Sequence, residues 1–180
     1  MKKWMILAAA TSWLLLSGSA CIKYTLAPES SAVAKDGTVQ VQVGLDHCLP
    51  FQFGGKPHSL CAGTDKVYGM GFDLDYDPAI LEFQSLDLAG GALHNSTAVT
   101  AFRNSAVDNG QLVVGISKLG QVPGEPVQGM VATITFKAKE AGVTKLTFRD
   151  PQLLDSAGKY YVGWPYYSAT LQKAQVTVSP

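Results

Sequence analysis

Residues 71–83 read Gly-Phe-Asp-Leu-Asp-Tyr-Asp-Pro-Ala-Ile-Leu-Glu-Phe. Apolar and acidic side chains alternate up to Asp77-Pro78, and an apolar run resumes directly after it. A period of two puts Phe72, Leu74 and Tyr76 on one face and Asp73 and Asp75 on the other, as in a strand with one buried and one wet face. Proline fixes its own φ and pushes the preceding residue out of the helical region, so Asp77-Pro78 marks a corner. Strand, corner and strand confine this stretch to a β architecture. The three aspartates are no calcium site by themselves, because alternating strand residues stand about 7 Å apart. They read as a solvated face.

The same period recurs along the chain. Val39, Val41, Val43 and Leu45 alternate with Gln40, Gln42 and Gly44. Tyr68 and Met70 extend the apolar face of Phe72 toward the N-terminus, with Gly69 and Gly71 opposite. Residues 81–88 form the next strand, and the phase shift between Phe83 and Leu86 predicts a bulge. A weaker strand covers 98–103. Asn109-Gly110, a strong hairpin signal, then turns the chain into 111–117, where Leu112, Val114 and Ile116 share a face. Gly120, Pro123, Gly124 and Pro126 mark a loop. In 130–138 the expected inward residues are Met130, Ala132, Ile134, Phe136 and Ala138, with Val131 outward. Strands at 144–148 and 169–178 follow, the last with a slip in phase. Helix signals are nearly absent. Eight or nine short strands separated by Gly and Pro predict an all-β sandwich of Greek-key type.

The N-terminus reads as an address. Lys2 and Lys3 precede an apolar run that ends in Ser17-Gly18-Ser19-Ala20-Cys21. This is an export signal, too short at about 13 apolar residues to span a hydrocarbon core needing roughly 20. Cys21 after small residues resembles a bacterial lipoprotein box, with Gly18 where leucine is usual. The expectation is a lipid on Cys21 and a place in the cell envelope, at an outer membrane or cell surface; ordinary cleavage and secretion is the alternative. Pro28, Glu29, Ser30 and Ser31 suggest a spacer. The chain then divides into a signal at 1–20, a lipidated N-terminus and tether at 21–36, and one domain at 37–180.

Three cysteines in an exported chain leave one over. With Cys21 lipidated, Cys48 and Cys61 can form a disulfide closing a loop of about 14 residues, worth around 3 kcal/mol in the chain-entropy model. The rival is a zinc set of His47, Cys48, His58 and Cys61, but its spacing matches no standard finger and exported cysteines are usually oxidised. No metal and no cofactor is assigned, and His94 reads as a loop residue.

Charge excludes one class of partner. The chain has 14 basic and 14 acidic residues; loss of Lys2 and Lys3 leaves 12 basic against 14 acidic, close to neutrality. No basic field attracts nucleic acid. There is no Gly-x-Ser-x-Gly elbow, His-Glu-x-x-His motif or phosphate loop, so no catalytic residue is assigned and the chain is read as a non-enzyme.

Several segments, taken in order, resemble the cohesin family. Residues 72–83 resemble its strand, Tyr-Asp-Pro corner and following strand. Residues 108–117 resemble its next turn and strand. The run Gly129-Met130-Val131-Ala132-Thr133-Ile134-Thr135-Phe136-Lys137-Ala138 and residues 142–148 resemble two later strands. The resemblance covers Val39 to Val178 and implies a nine-stranded jelly roll that docks an exported, dockerin-bearing partner, most naturally a polysaccharide-degrading enzyme. It implies a partner-binding face at Gly69, Gly71, Asp73, Val113, Gly115 and Ser117. Gly69 and Gly71 depart from the family's polar residues there, leaving either a flat face open to close approach or glycines that ease a twisted strand.

Cohesins are similar in fold to cellulose-binding modules. This gives a second reading to Tyr160, Tyr161, Trp164, Tyr166 and Tyr167, as planar groups that could stack on sugars. The blander account of the cluster is core and loop packing. A third reading is a structural subunit of a surface assembly.

Overall fold

The computed structural model describes residues 21–47, 51–53, 56–58, 67–94, 97–103, 109–159 and 168–180. In chain order the strands are β1 (Cys21–Pro28), β2 (Ala32–Ala34), β3 (Thr38–His47), β4 (Phe51–Phe53), β5 (Lys56–His58), β6 (Gly69–Asp75) and β7 (Leu81–Asp87). They continue as β8 (Thr97–Arg103), β9 (Gln111–Lys118), β10 (Gly129–Ala138), β11 (Gly142–Leu154), β12 (Ser168–Leu171) and β13 (Lys173–Ser179). The back sheet runs β12-β1-β3-β10-β7 and the front sheet β2-β13-β11-β6-β9-β8, while β4 and β5 pair as a separate hairpin. The fold is an all-β sandwich.

The alternating apolar residues meet between the sheets. Val39, Val41, Val43 and Leu45 of β3 and Phe72 and Leu74 of β6 are all buried. Phe72 and Phe148 meet edge to face, their ring centroids 5.2 Å apart, and Tyr24 meets the same Phe148 ring at 5.6 Å. Edge-to-face contacts of this kind add about 1 kcal/mol beyond the area they bury.

The Asp77-Pro78 corner is fixed by hydrogen bonds that its residue types supply. The Ala79 amide donates to Asp77 Oδ1 at 2.9 Å, and the Asp77 amide donates to Thr144 Oγ1 at 2.9 Å. The Tyr76 amide donates to the Gly110 carbonyl at 2.8 Å. Gly110 has φ +77°, and a Cβ there would lie 2.2 Å from the Tyr76 carbonyl oxygen, so glycine is required. The bulge expected in β7 is present: Thr135 pairs Ser85 and Phe136 pairs Phe83, leaving Gln84 as the extra residue.

Three expectations are corrected. Residues 21–36 are no tether, because β1 lies inside the back sheet between β12 and β3, and Ile22, Tyr24 and Leu26 are buried. Their side chains alternate with Lys23 and Thr25, so β1 obeys the same period of two as the rest. In β10 the register slips between Met130 and Ala132, so Val131 turns into the core and Met130 outward. The phase slip in the last strand marks a change of sheet: β12 pairs with β1 at the back, while β13 pairs with β11 at the front.

The connections sort by length to the two ends of the sandwich. The segments leaving β3, β7, β9 and β11 are long and share one end with the start of β1. There the Tyr24 hydroxyl donates to the Gln152 carbonyl at 2.9 Å, tying the two sheets together, and the Ala92 amide of the loop after β7 donates to the Met130 carbonyl at 2.9 Å. The other end holds the short turns after β6 and β10 and the C-terminus. There the Asp36 amide donates to the Ala138 carbonyl, and the Lys35 amide donates to the Ser179 carbonyl.

Candidate functional site

The outward face of the front sheet is built by three neighbouring strands. In β6 the residues Phe72 and Leu74 point inward, so Gly69, Gly71, Asp73 and Asp75 point outward. In β9 the outward set is Gln111, Val113, Gly115 and Ser117. The register aligns them directly: Gly69 with Ser117, Gly71 with Gly115, Asp73 with Val113 and Asp75 with Gln111. All six residues singled out from the sequence therefore stand in adjacent rows on one surface.

The two halves of that surface differ in chemistry. At the Asp73–Asp75 end the charges are already engaged. Gln111 Nε2 donates to Asp73 Oδ2 at 2.7 Å, and Arg149 Nε lies 2.7 Å from Asp75 Oδ2. Asp77 holds the corner, so each of the three aspartates has its own task. No group of three or more His, Cys, Asp or Glu among the described residues could hold a metal ion.

Around the Gly71–Gly115 row the surface is bare. The atoms nearest to a Cβ placed on Gly71 would be the Val114 carbonyl oxygen at 3.4 Å and Gln152 atoms at 3.8 Å, ordinary contact distances. Fold strain does not demand glycine at 71; what its absence of side chain provides is a flat, accessible backbone. Gly69 is different. It is buried, with Leu154 Cδ1 3.7 Å and Ser117 Cβ 3.3 Å from where its Cβ would stand.

Sequence reasoning ended the third strand of the surface at residue 148 and missed its continuation. Past Asp150-Pro151, β11 continues to Leu154 through a register shift between Arg149 and Gln152. Asp150 takes φ 45° at this irregularity, and Pro151 falls outside the paired register, where its missing amide costs no ladder hydrogen bond. Arg149 thereby pairs Asp73, Gln152 pairs Gly71 and Leu154 pairs Gly69. The mirrored Asp-Pro wording of residues 77–78 and 150–151 was the available signal. On the other flank, β8 pairs with β9, placing Thr100 opposite Gly115 and Phe102 opposite Val113.

A buried cation fixes the lower margin of this face. Lys118 turns inward at the end of β9 with 5 % of its side chain exposed, and its ammonium donates to Glu125 Oε1 and to the Pro123 carbonyl. The Val67 and Glu125 backbones pair, and the Tyr68 hydroxyl reaches the Gly120 carbonyl. The loop 119–128 is thus clamped against the start of β6, leaving Leu119 62 % exposed. His94 is a loop residue whose Nδ1 lies 2.6 Å from the Gly91 carbonyl. Cys48, Cys61 and the aromatic group Tyr160, Tyr161, Trp164, Tyr166 and Tyr167 lie outside the described residues, as does the side chain of Cys21.

Comparison with known proteins agrees with this architecture. The cohesin domain model matches residues 61–160, more than half of the chain. The chain belongs to the cohesin domain family, whose members are non-catalytic protein-binding modules. Among solved structures, it resembles the second type II cohesin module of an adaptor scaffoldin from Acetivibrio cellulolyticus, with TM-score 0.62 and 15% identity over 90% of this chain and 92% of that one. The cohesin module of a family 33 glycoside hydrolase from Clostridium perfringens gives TM-score 0.61 and 12% identity, covering 89% and 97%. A type I cohesin–dockerin complex from Clostridium thermocellum gives TM-score 0.58 and 12% identity, covering 88% and 99%. A search of curated sequences finds no match.

Proposed function

We propose that this chain is a docking module of the bacterial cell envelope, held to a membrane by a lipid on Cys21. Its outward front-sheet face would receive an exported, dockerin-bearing protein. The observation that carries the reading is the row-by-row register of Gly69, Gly71 and Asp73 with Ser117, Gly115 and Val113. It makes a surface with a bare half and a polar half in a chain of a protein-binding family. Solved cohesins of similar fold include complexes with dockerins, which supports the partner class. A polysaccharide-degrading partner fits a fold shared with a module of a glycoside hydrolase and with a cellulosomal cohesin. The leader and Cys21 support the anchor.

The test is capture of exported proteins of the source organism on the immobilised chain. A protein with duplicated calcium-binding loops is expected, released by chelation of calcium and absent from a column carrying Gly71→Arg. Retention of no such protein contradicts the reading. Mass determination of the mature chain tests the anchor: an acyl mass on residue 21 supports it, and an unmodified chain contradicts it.

A further inference from the structure

β1 begins at Cys21 itself. Cys21 pairs with Ser168 and Ile22 with His47, so the residue expected to carry the lipid is already part of the back sheet. Neighbouring strands flank β1 on both sides, and its Ile22, Tyr24 and Leu26 are buried. No residue separates Cys21 from the first strand, and Cys21 stands at the long-connection end of the sandwich. That same end presents Leu119, one of two exposed large apolar side chains among the described residues, on a loop held by the Lys118–Glu125 pair.

We infer that the lipid holds the sandwich directly against the bilayer by this end, with Leu119 and the 119–128 loop at the headgroup surface. The inference rests on the lipidation of Cys21 proposed above. Its consequence is a fixed attitude for the docking face. Tyr24 stands three residues, about 10 Å, along β1 from the lipid site. Its hydroxyl contacts Gln152, which pairs Gly71, so the bare half of the face lies nearest the membrane. Asp75 is four residues further along β6, about 14 Å higher. The polar half points away. A partner is therefore received side-on, with one of its edges close to the lipid surface.

The test uses the mature, lipidated chain in phosphatidylethanolamine–phosphatidylglycerol vesicles, followed by amide hydrogen exchange. A second lipidated form carries a twelve-residue Gly/Ser spacer between Cys21 and Ile22. Amides of 119–128 and 88–94 should exchange about threefold or more slowly in the natural chain than in the spacer form, while 76–80 and 139–141 exchange equally in both. Equal exchange at 119–128 in two chains that both carry lipid overturns the inference and leaves lipidation standing. A mature chain without acyl mass overturns both.

Discussion

Tyr24 illustrates how one side chain ties two sheets together and carries a pH dependence. Burial pushes its phenol well above the ordinary value of about 10. The folded state thus holds the proton more tightly than the unfolded state. The stability contributed by the neutral phenol is fully present below about pH 10 and is lost as pH rises through the folded pKa. Tyr24→Phe is expected to cost about 1 kcal/mol at neutral pH, by leaving the Gln152 carbonyl without its donor. It should also make stability fall less steeply above pH 10; denaturant unfolding at pH 7 and pH 11 reads both effects. A second residue-scale expectation concerns Lys118. Glu125→Ala leaves its buried ammonium to the Pro123 carbonyl, and should cost about 2 kcal/mol by thermal unfolding. Lys118→Met, which removes the charge along with the pair, should cost less.

Among the elements, what was legible in the sequence was whatever depends on local period. Phe72, Leu74 and Tyr76 against Asp73 and Asp75 gave β6 its faces, and Leu112, Val114 and Ile116 did the same for β9. Alternation fixed only which side of each strand the six face residues occupy; the pairing of β6 with β9 skips β7 and β8, and it was the family resemblance that joined the two rows. What was not legible depends on partners distant in sequence. Nothing local shows that β12 and β13 enter different sheets. Pro151 looks like a stop until the irregularity beside it is seen. β1 is the instructive case: Ile22, Tyr24 and Leu26 do alternate, but the adjacent leader and the Pro28–Ser31 stretch made the run read as spacer. The corrected assignment has a consequence. A chain starting at residue 37 should fail to fold, because it loses three buried side chains worth about 2 kcal/mol each and exposes the flank of β3. Loss of dispersed amide signals in a proton–nitrogen NMR spectrum is the expected result; a folded spectrum would restore the tether.

At the scale of the whole molecule, the sandwich separates its tasks. The corner turns and C-terminus close one end, the long connections and the start of β1 form the other, and the front sheet offers a broad face between them. No step in that arrangement requires chemistry, in keeping with a family of protein-binding modules. Affinity would arise from shape and backbone access at Gly71 and Ser117 and from the polar group Asp73, Asp75, Gln111 and Arg149. The most direct measurement is partner binding by calorimetry with two variants of matched chemistry on opposite sheets. Gly71→Arg adds a long side chain where a Cβ is sterically tolerated, and Gln42→Arg adds one to an exposed back-sheet position. Both should unfold within about 0.5 kcal/mol of the natural chain. The account predicts that Gly71→Arg lowers affinity a hundredfold or more, about 2.7 kcal/mol, while Gln42→Arg binds as the natural chain does. Unchanged binding by Gly71→Arg, or loss on Gln42→Arg alone, would contradict it.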